Sequence, residues 1–218
     1  MKLINKAALI YFLLLTPFFC FAQATTKLVT LGEVKDAVQK YYDSGQYDSE
    51  CKKIIDDAIE HINKMTLNDK SVVVFDVDET SLSNYDLTKS IGFGYIQNLW
   101  HESILSAKLP AIKETKRFYD YLVSKSIHVI FLTGRFSEVH DATKNNLIEQ
   151  GYTKFDTLIV RQPDETKIPA AEFKETKRKI LTEKGYVIIA CIGDQMTDLF
   201  GSNTGYKIKL PNYLYSIE

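Results

Sequence analysis

From residue 71 onward the chain alternates short apolar runs with amphipathic stretches of helical length. The runs fall at 72–75, 127–132, 157–160 and 186–192, with a weaker one at 206–210. Each is too short for a helix, and most lack the polar alternation of a strand with one wet face, so they predict strands buried on both sides. The amphipathic stretches at 111–125, 138–150 and 170–184 predict helices between them. Strand and helix in alternation predict an α/β fold, Rossmann-like, with a mainly parallel sheet covered by helices on both faces.

Two segments stand outside this rhythm. Residues 30–66 predict a pair of helices. "TLGE" at 30–33 reads as a capping box opening a helix that runs to about Ser44 and Gly45. A second helix is expected from Asp48, with Ile54, Ile55, Ala58, Ile59 and Ile62 on one stripe. Residues 85–110, holding Gly92, Gly94, Trp100 and Pro110, are too long for a simple connection and predict a small insertion, a cap, after the first strand.

The first 24 residues are a different kind of sequence. Lys2 and Lys6 precede an apolar run from Ala7 to Leu15, then Pro17, then small residues around Ala22 and Ala24. This is the layout of a cleaved secretory signal, so the chain is expected to be exported, to a periplasm or outside the cell. A membrane anchor needs ~20 apolar residues, and Thr16-Pro17 interrupts the run, so no stable anchor is expected. Phe18 and Phe19 before Cys20 argue against lipid attachment there. Cys51 and Cys191 would then remain, as buried thiols without a framework of disulfide spacings.

Composition adds little beyond exclusions. The 218 residues are 45% hydrophobic and 25% charged, with a formal net charge of −1. That is ordinary globular material, and it offers no basic surface for a nucleic-acid polymer. No CxxC or HExxH occurs among the three Cys and four His, so a zinc site is not expected.

The chemistry lies where the strands end. "FDVDET" closes the first apolar run, "LTGR" the second and "IGDQMTD" the fourth, and in a parallel sheet these ends share one edge. Asp76 and Asp78, two apart, are aimed at one pocket. Asp194 and Asp198 arrive from another strand. Any one acid could be a helix cap or a turn residue, but four at one edge need a divalent cation to relieve their repulsion. An all-oxygen site of few carboxylates suits Mg²⁺, which completes its shell with water and substrate phosphate. A calcium loop from Asp76 fails, because its sixth and twelfth positions are Ser81 and Leu87.

Thr133 supplies a hydroxyl, and Gly134 lets the backbone turning into a helix from Ser137 approach an anion. Lys174 sits among other basic residues of a helix, where a solvated face is the usual explanation. A phosphate pocket lined with carboxylates still needs a cation, which Lys174 can deliver. With these groups holding a phosphoryl group, Asp76 can attack phosphorus and Asp78 can protonate the leaving oxygen, then deprotonate a water. No Walker A or Gly-x-Ser-x-Gly sequence competes with this reading.

The ordered set "DVDET", "LTGR", Lys174 and "GDQMTD" resembles the haloacid dehalogenase (HAD) superfamily. "VFDVDETSLSN", "FLTGRFSEVHDATKNNLIEQGY" and "FKETKRKILTEKGY" look like subfamily IIIB, which holds plant and bacterial secreted acid phosphatases, lipoprotein e-like enzymes and vegetative storage proteins. The likeness covers about residues 30–212. It implies an HAD-like phosphatase domain over 25–218 and Mg²⁺-dependent hydrolysis of phosphate monoesters through an aspartyl-phosphate. It makes Asp76 the nucleophile and Asp78 the acid/base, with Thr133, Gly134 and Lys174 on the phosphoryl group. Lys174 is preferred to Lys177 by its place in the family pattern. The metal ligands would be Asp76, the Asp78 carbonyl, Asp194 and Asp198. Tyr85, Phe93, Tyr95 and Trp100 could stack on a nucleoside or aryl leaving group, although packing the insertion onto the domain is the commoner use of any one such aromatic. A phosphotransferase of the same fold and a non-catalytic storage protein are the alternatives; Asp76, the residue whose loss marks the storage route, is present.

Overall fold

The computed structural model describes residues 28–217. The expected signal segment, 1–24, lies outside the described residues. Helix α1 (Leu31–Asp43) opens on the capping box, Thr30 Oγ1 accepting from the Glu33 N–H and Glu33 accepting from the Thr30 N–H. Helix α2 (Gln46–Asn63) begins two residues before the expected Asp48, because Gly45, at φ 78°, makes the reversal by itself. Its buried stripe is Tyr47, Cys51, Ile55, Ala58 and Ile62.

Five strands form one sheet in the order β3-β2-β1-β4-β5, parallel throughout. They are β1 (Ser71–Phe75), β2 (His128–Phe136), β3 (Thr157–Arg161), β4 (Val187–Gly193) and β5 (Tyr206–Lys209). Helices α5 (Lys113–Ser124), α6 (His140–Glu149) and α7 (Ala170–Glu183) make the crossovers, and α8 (Met196–Leu199) follows β4. Between β1 and α5, residues 85–110 contain two short helices, α3 (Tyr85–Ser90) and α4 (Gln97–Leu105).

The apolar runs are buried on both sides because the pleat sends alternate residues to different cores. Val73, Phe75, Val129 and Phe131 meet α2 and α5 through Ile55, Phe118 and Leu122. Val72, Val74, Ile130 and Leu132 meet Phe173 and Leu181 of α7. Each such side chain, fully withdrawn from water, contributes ~1.5–3 kcal/mol.

One expectation is corrected here. The backbone at Gly134 is not yet the turn toward the helix expected from Ser137; β2 runs on to Phe136, with an irregularity in its pairing with β3 between Leu132 and Phe136. A 3-10 turn (Ser137–Val139) follows, and the α-helix starts only at His140. The strand persists because Thr133 and Arg135 stay buried while Gly134 and Phe136 face out, which continues the alternation. Among the described residues, no helix is long and apolar enough to cross a membrane.

Candidate active site

The chain steps from β1 outward to β2 and β3, then crosses back to β4 and β5 on the other side. The sheet therefore reverses its winding between β1 and β4, where parallel α/β sheets open a crevice at their carboxyl edge. Asp76 stands in that crevice, its N–H donating to the Ile192 carbonyl at 3.0 Å. Val77 returns to the core, and its carbonyl accepts from the N–H groups of Ser81 and Leu82 at 2.9 Å each. The turn leaves Asp76 and Asp78 lining the same cavity.

Carboxylate oxygens of Asp76, Asp194 and Asp198 all lie within 4.8 Å of one another, and all three residues are buried. Lys174, buried in the first turns of α7, donates to Asp76 Oδ1 at 2.5 Å and also to Asp198. Asp198 Oδ2 accepts from the Gln195 N–H at 2.8 Å, so the four-residue α8 holds its own acid inward. Gly193 makes room for that acid: a Cβ there would meet Asp198 Oδ2 at 2.2 Å and Asp198 Cβ at 2.3 Å.

Electrostatics mark the trio as a place for positive charge. Burial pushes Asp76 well above the usual carboxylate range; Lys174 pulls against this, and Asp198 and Asp194 add to the rise. Burial, with Asp198, pushes Asp194 up to about 6. Burial lowers the proton affinity of Lys174, but Asp198 and Asp76 outweigh it and hold the ammonium charged. Three buried oxygen donors carrying more negative charge than one ammonium can neutralise fit a divalent cation.

Asp78 lies outside this trio. Its carboxylate accepts from Arg135 Nη2 at 2.7 Å and Nε at 3.0 Å, and from Asn84 Nδ2 at 2.8 Å. Burial works to raise its pKa, yet the Arg135 charge and these hydrogen bonds prevail and hold it below the ordinary value. Thr133, buried within β2, lines the same cavity, its hydroxyl accepting from the Arg135 N–H at 3.2 Å. Gly134 lines the cavity but is exposed, and a Cβ there would meet nothing within 4 Å, so no neighbour demands glycine.

The cavity has a volume of about 870 Å³ and continues from the acids toward α3 and α4. Phe93, Tyr95, Trp100 and His101 form one wall, and Tyr215 closes it from the segment after β5. Tyr85, a candidate for that wall, is instead stacked on Tyr42 at 4.6 Å and donates to Asp43 Oδ1 at 2.7 Å. It fastens α3 to α1. Sequence reasoning missed Arg135, Gln195, Asn212 and Tyr215. Only Arg135 carried a signal: it lies two residues from Thr133 on one strand, hence on the same face.

Comparison with known proteins identifies the family and the fold. The model of the HAD superfamily, subfamily IIIB (acid phosphatase), matches residues 22–218. A stem 28 kDa glycoprotein of Glycine max is 34% identical over 85% of this chain and 76% of its own length. Acid phosphatase 1 of Solanum lycopersicum is 30% identical over 85% and 75%. The class C acid phosphatase of Bacillus anthracis shares the fold, with a TM-score of 0.70 at 20% identity over 84% of this chain and 85% of that one. The chain belongs to the HAD superfamily, subfamily IIIB, the acid phosphatases. Its class is that of the phosphoric monoester hydrolases.

Proposed function

We propose that this protein is a Mg²⁺-dependent acid phosphatase that hydrolyses small phosphate monoesters through a phosphorylated Asp76, nucleoside and aryl monophosphates being its preferred substrates. The observation that carries the reading is the meeting of Asp76, Asp194 and Asp198, the first and last of them on Lys174, in an aromatic-walled cavity. Asp76 and Asp194, supported by Asp198 and the Asp78 carbonyl, would hold the ion. When bound, Mg²⁺ offsets the charge of the carboxylates and of the phosphoryl oxygens.

An Asp76 carboxylate oxygen attacks phosphorus, forming the aspartyl-phosphate as the bond to the leaving oxygen breaks. Asp78 gives that oxygen its proton, then takes one from the water that attacks the intermediate and frees Asp76. Thr133 Oγ1, the Gly134 backbone and Lys174 Nζ hold phosphoryl oxygens in line. Phe93, Tyr95 and Trp100 embrace the apolar part of the leaving group, in a cavity within the range of small-molecule sites. Export after loss of residues 1–24 completes the reading.

Turnover of p-nitrophenyl phosphate by wild type and Asp76→Asn, with Mg²⁺ and with a chelator, tests it. The substitution is expected to cost at least about a thousandfold in kcat, and acid quenching should leave no phosphorylated protein. Undiminished hydrolysis by Asp76→Asn would falsify the nucleophile assignment.

A further inference from the structure

The three acids of the trio are not held alike. Asp76 and Asp198 share the Lys174 ammonium. Asp194 has no cationic partner among the described residues and is fixed by neutral donors. Thr80 Oγ1 donates to its Oδ1 at 3.1 Å, while Gln195 Nε2 and Asn212 Nδ2 each donate to its Oδ2 at 2.6 Å. Neutral donors orient a carboxylate without cancelling its charge, so the negative charge of Asp194 is the one left for an incoming cation.

Asn212 comes from the segment after β5, 18 residues beyond Asp194. Its amide is oriented from both ends, because its Oδ1 accepts from the Leu214 N–H at 2.7 Å. A flipped amide would set its oxygen against the Asp194 carboxylate and lose the Leu214 bond, so only one orientation satisfies both partners. The segment is pinned on either side. The Leu210 N–H donates to the Gly193 carbonyl and the Ile217 N–H to Gln195 Oε1, both at 2.9 Å. Tyr215 donates to Glu79 Oε2 at 2.6 Å, and Tyr213 packs edge-on against Tyr41 with ring centroids 4.8 Å apart.

We propose that Asn212 is a positioning residue for the cation: it turns Asp194 so that its charge faces Asp76 and Asp198, and so sets metal affinity. This rests on the metal site proposed above. Loss of an outer partner of a metal-binding carboxylate lowers metal affinity ~10–100-fold. A role confined to holding the chain together would instead lower the stability of the metal-free protein and leave affinity unchanged.

The test is the Mg²⁺ concentration that raises Tm by a fixed amount above the metal-free value, for wild type, Asn212→Ala, Asn212→Leu and Tyr213→Ala. Both Asn212 variants are expected to need at least about tenfold more Mg²⁺, with turnover recovering as the ion saturates. Tyr213→Ala, which loosens the same segment without touching Asp194, is expected to lower the metal-free Tm and keep the wild-type Mg²⁺ requirement. An unchanged Mg²⁺ requirement in the Asn212 variants overturns the inference. So does an equal shift in Tyr213→Ala, or failure of both Asn212 variants to fold. A wild type whose Tm ignores Mg²⁺ removes the metal reading itself, a separate result.

Discussion

Arg135 reaches Asp78 across 57 residues of sequence and grips both of its oxygens, Nη2 on Oδ1 at 2.7 Å and Nε on Oδ2 at 3.0 Å. Its third nitrogen donates to Thr143 Oγ1 at 3.0 Å, so the guanidinium is itself anchored to α6. A paired, fork-shaped contact of this kind fixes the orientation of a carboxylate as well as its charge. It places the proposed proton donor in its deprotonated form at neutral pH.

The consequence is an acid limb in the rate profile. Asp78 must carry a proton to release the leaving group, and Arg135 lowers its pKa, so the competent fraction grows about tenfold for each unit of falling pH until that pKa is reached. Replacing Arg135 by Gln leaves burial as the main influence and moves the limb to higher pH. The measurement is kcat/KM against pH for both proteins, with far-UV circular dichroism to verify folding. Superimposable limbs would remove Asp78 from the proton-donor role.

The strands and the three motif-bearing ends were legible because apolar continuity and strand-end acids are local properties of the chain. The pairing of Asp78 with Arg135 was not, because it depends on β1 and β2 lying side by side. Thr133 and Arg135 were visible as residues; the extra length of β2 that aims both inward was hidden by Gly134, which reads as a turn. Tyr85 takes the packing role open to any aromatic residue of the insertion; which surface it would meet was hidden, because its partner Asp43 lies 42 residues away on a helix whose angle no periodicity reports. Asn212 carried no signal, since one Asn after a short strand has many ordinary uses.

Gly193→Ala should damage the site more than the fold. The added methyl overlaps the Asp198 side chain, with contacts of 2.2–2.4 Å that only movement of α8 can relieve. Overpacking of this size costs ~1–3 kcal/mol. A shift of Asp198 away from Lys174 and the Gln195 N–H is expected to lower kcat on the order of a hundredfold. Thermal unfolding and turnover measured on one preparation separate the two effects. Wild-type kcat in a stable variant would contradict the close approach.

Mg²⁺ should stabilise the protein as well as activate it. Binding only to the folded state adds about 2.7 kcal/mol at a hundred times the dissociation constant, and EDTA should reverse both effects. Protons compete for the same oxygens. With Asp194 pushed up to about 6, the Mg²⁺-dependent rise in Tm is expected to shrink as pH falls through that value. Scanning calorimetry at pH 5 and pH 7.5, with and without the ion, reads this directly. An equal rise at both pH values would place the ion elsewhere.

A contact that acid strengthens lies at the opposite end of β2. His128 Nδ1 meets Asp156 at 2.9–3.0 Å and its Nε2 meets the Asp69 carbonyl at 3.0 Å. Both nitrogens therefore face acceptors, an arrangement only imidazolium satisfies. The Asp156 hydrogen bond, ahead of burial acting the other way, raises the His128 pKa. A raised folded pKa means the stabilisation is complete below the unfolded value of about 6.5 and disappears as pH rises through the folded one. The pair is more than a third exposed on the histidine side, so screening keeps it to less than ~1 kcal/mol. His128→Gln should consequently lower Tm at pH 5.5 and have little effect at pH 8.5. A difference that is the same at both pH values would show that packing against Tyr186, rather than charge, is what His128 contributes.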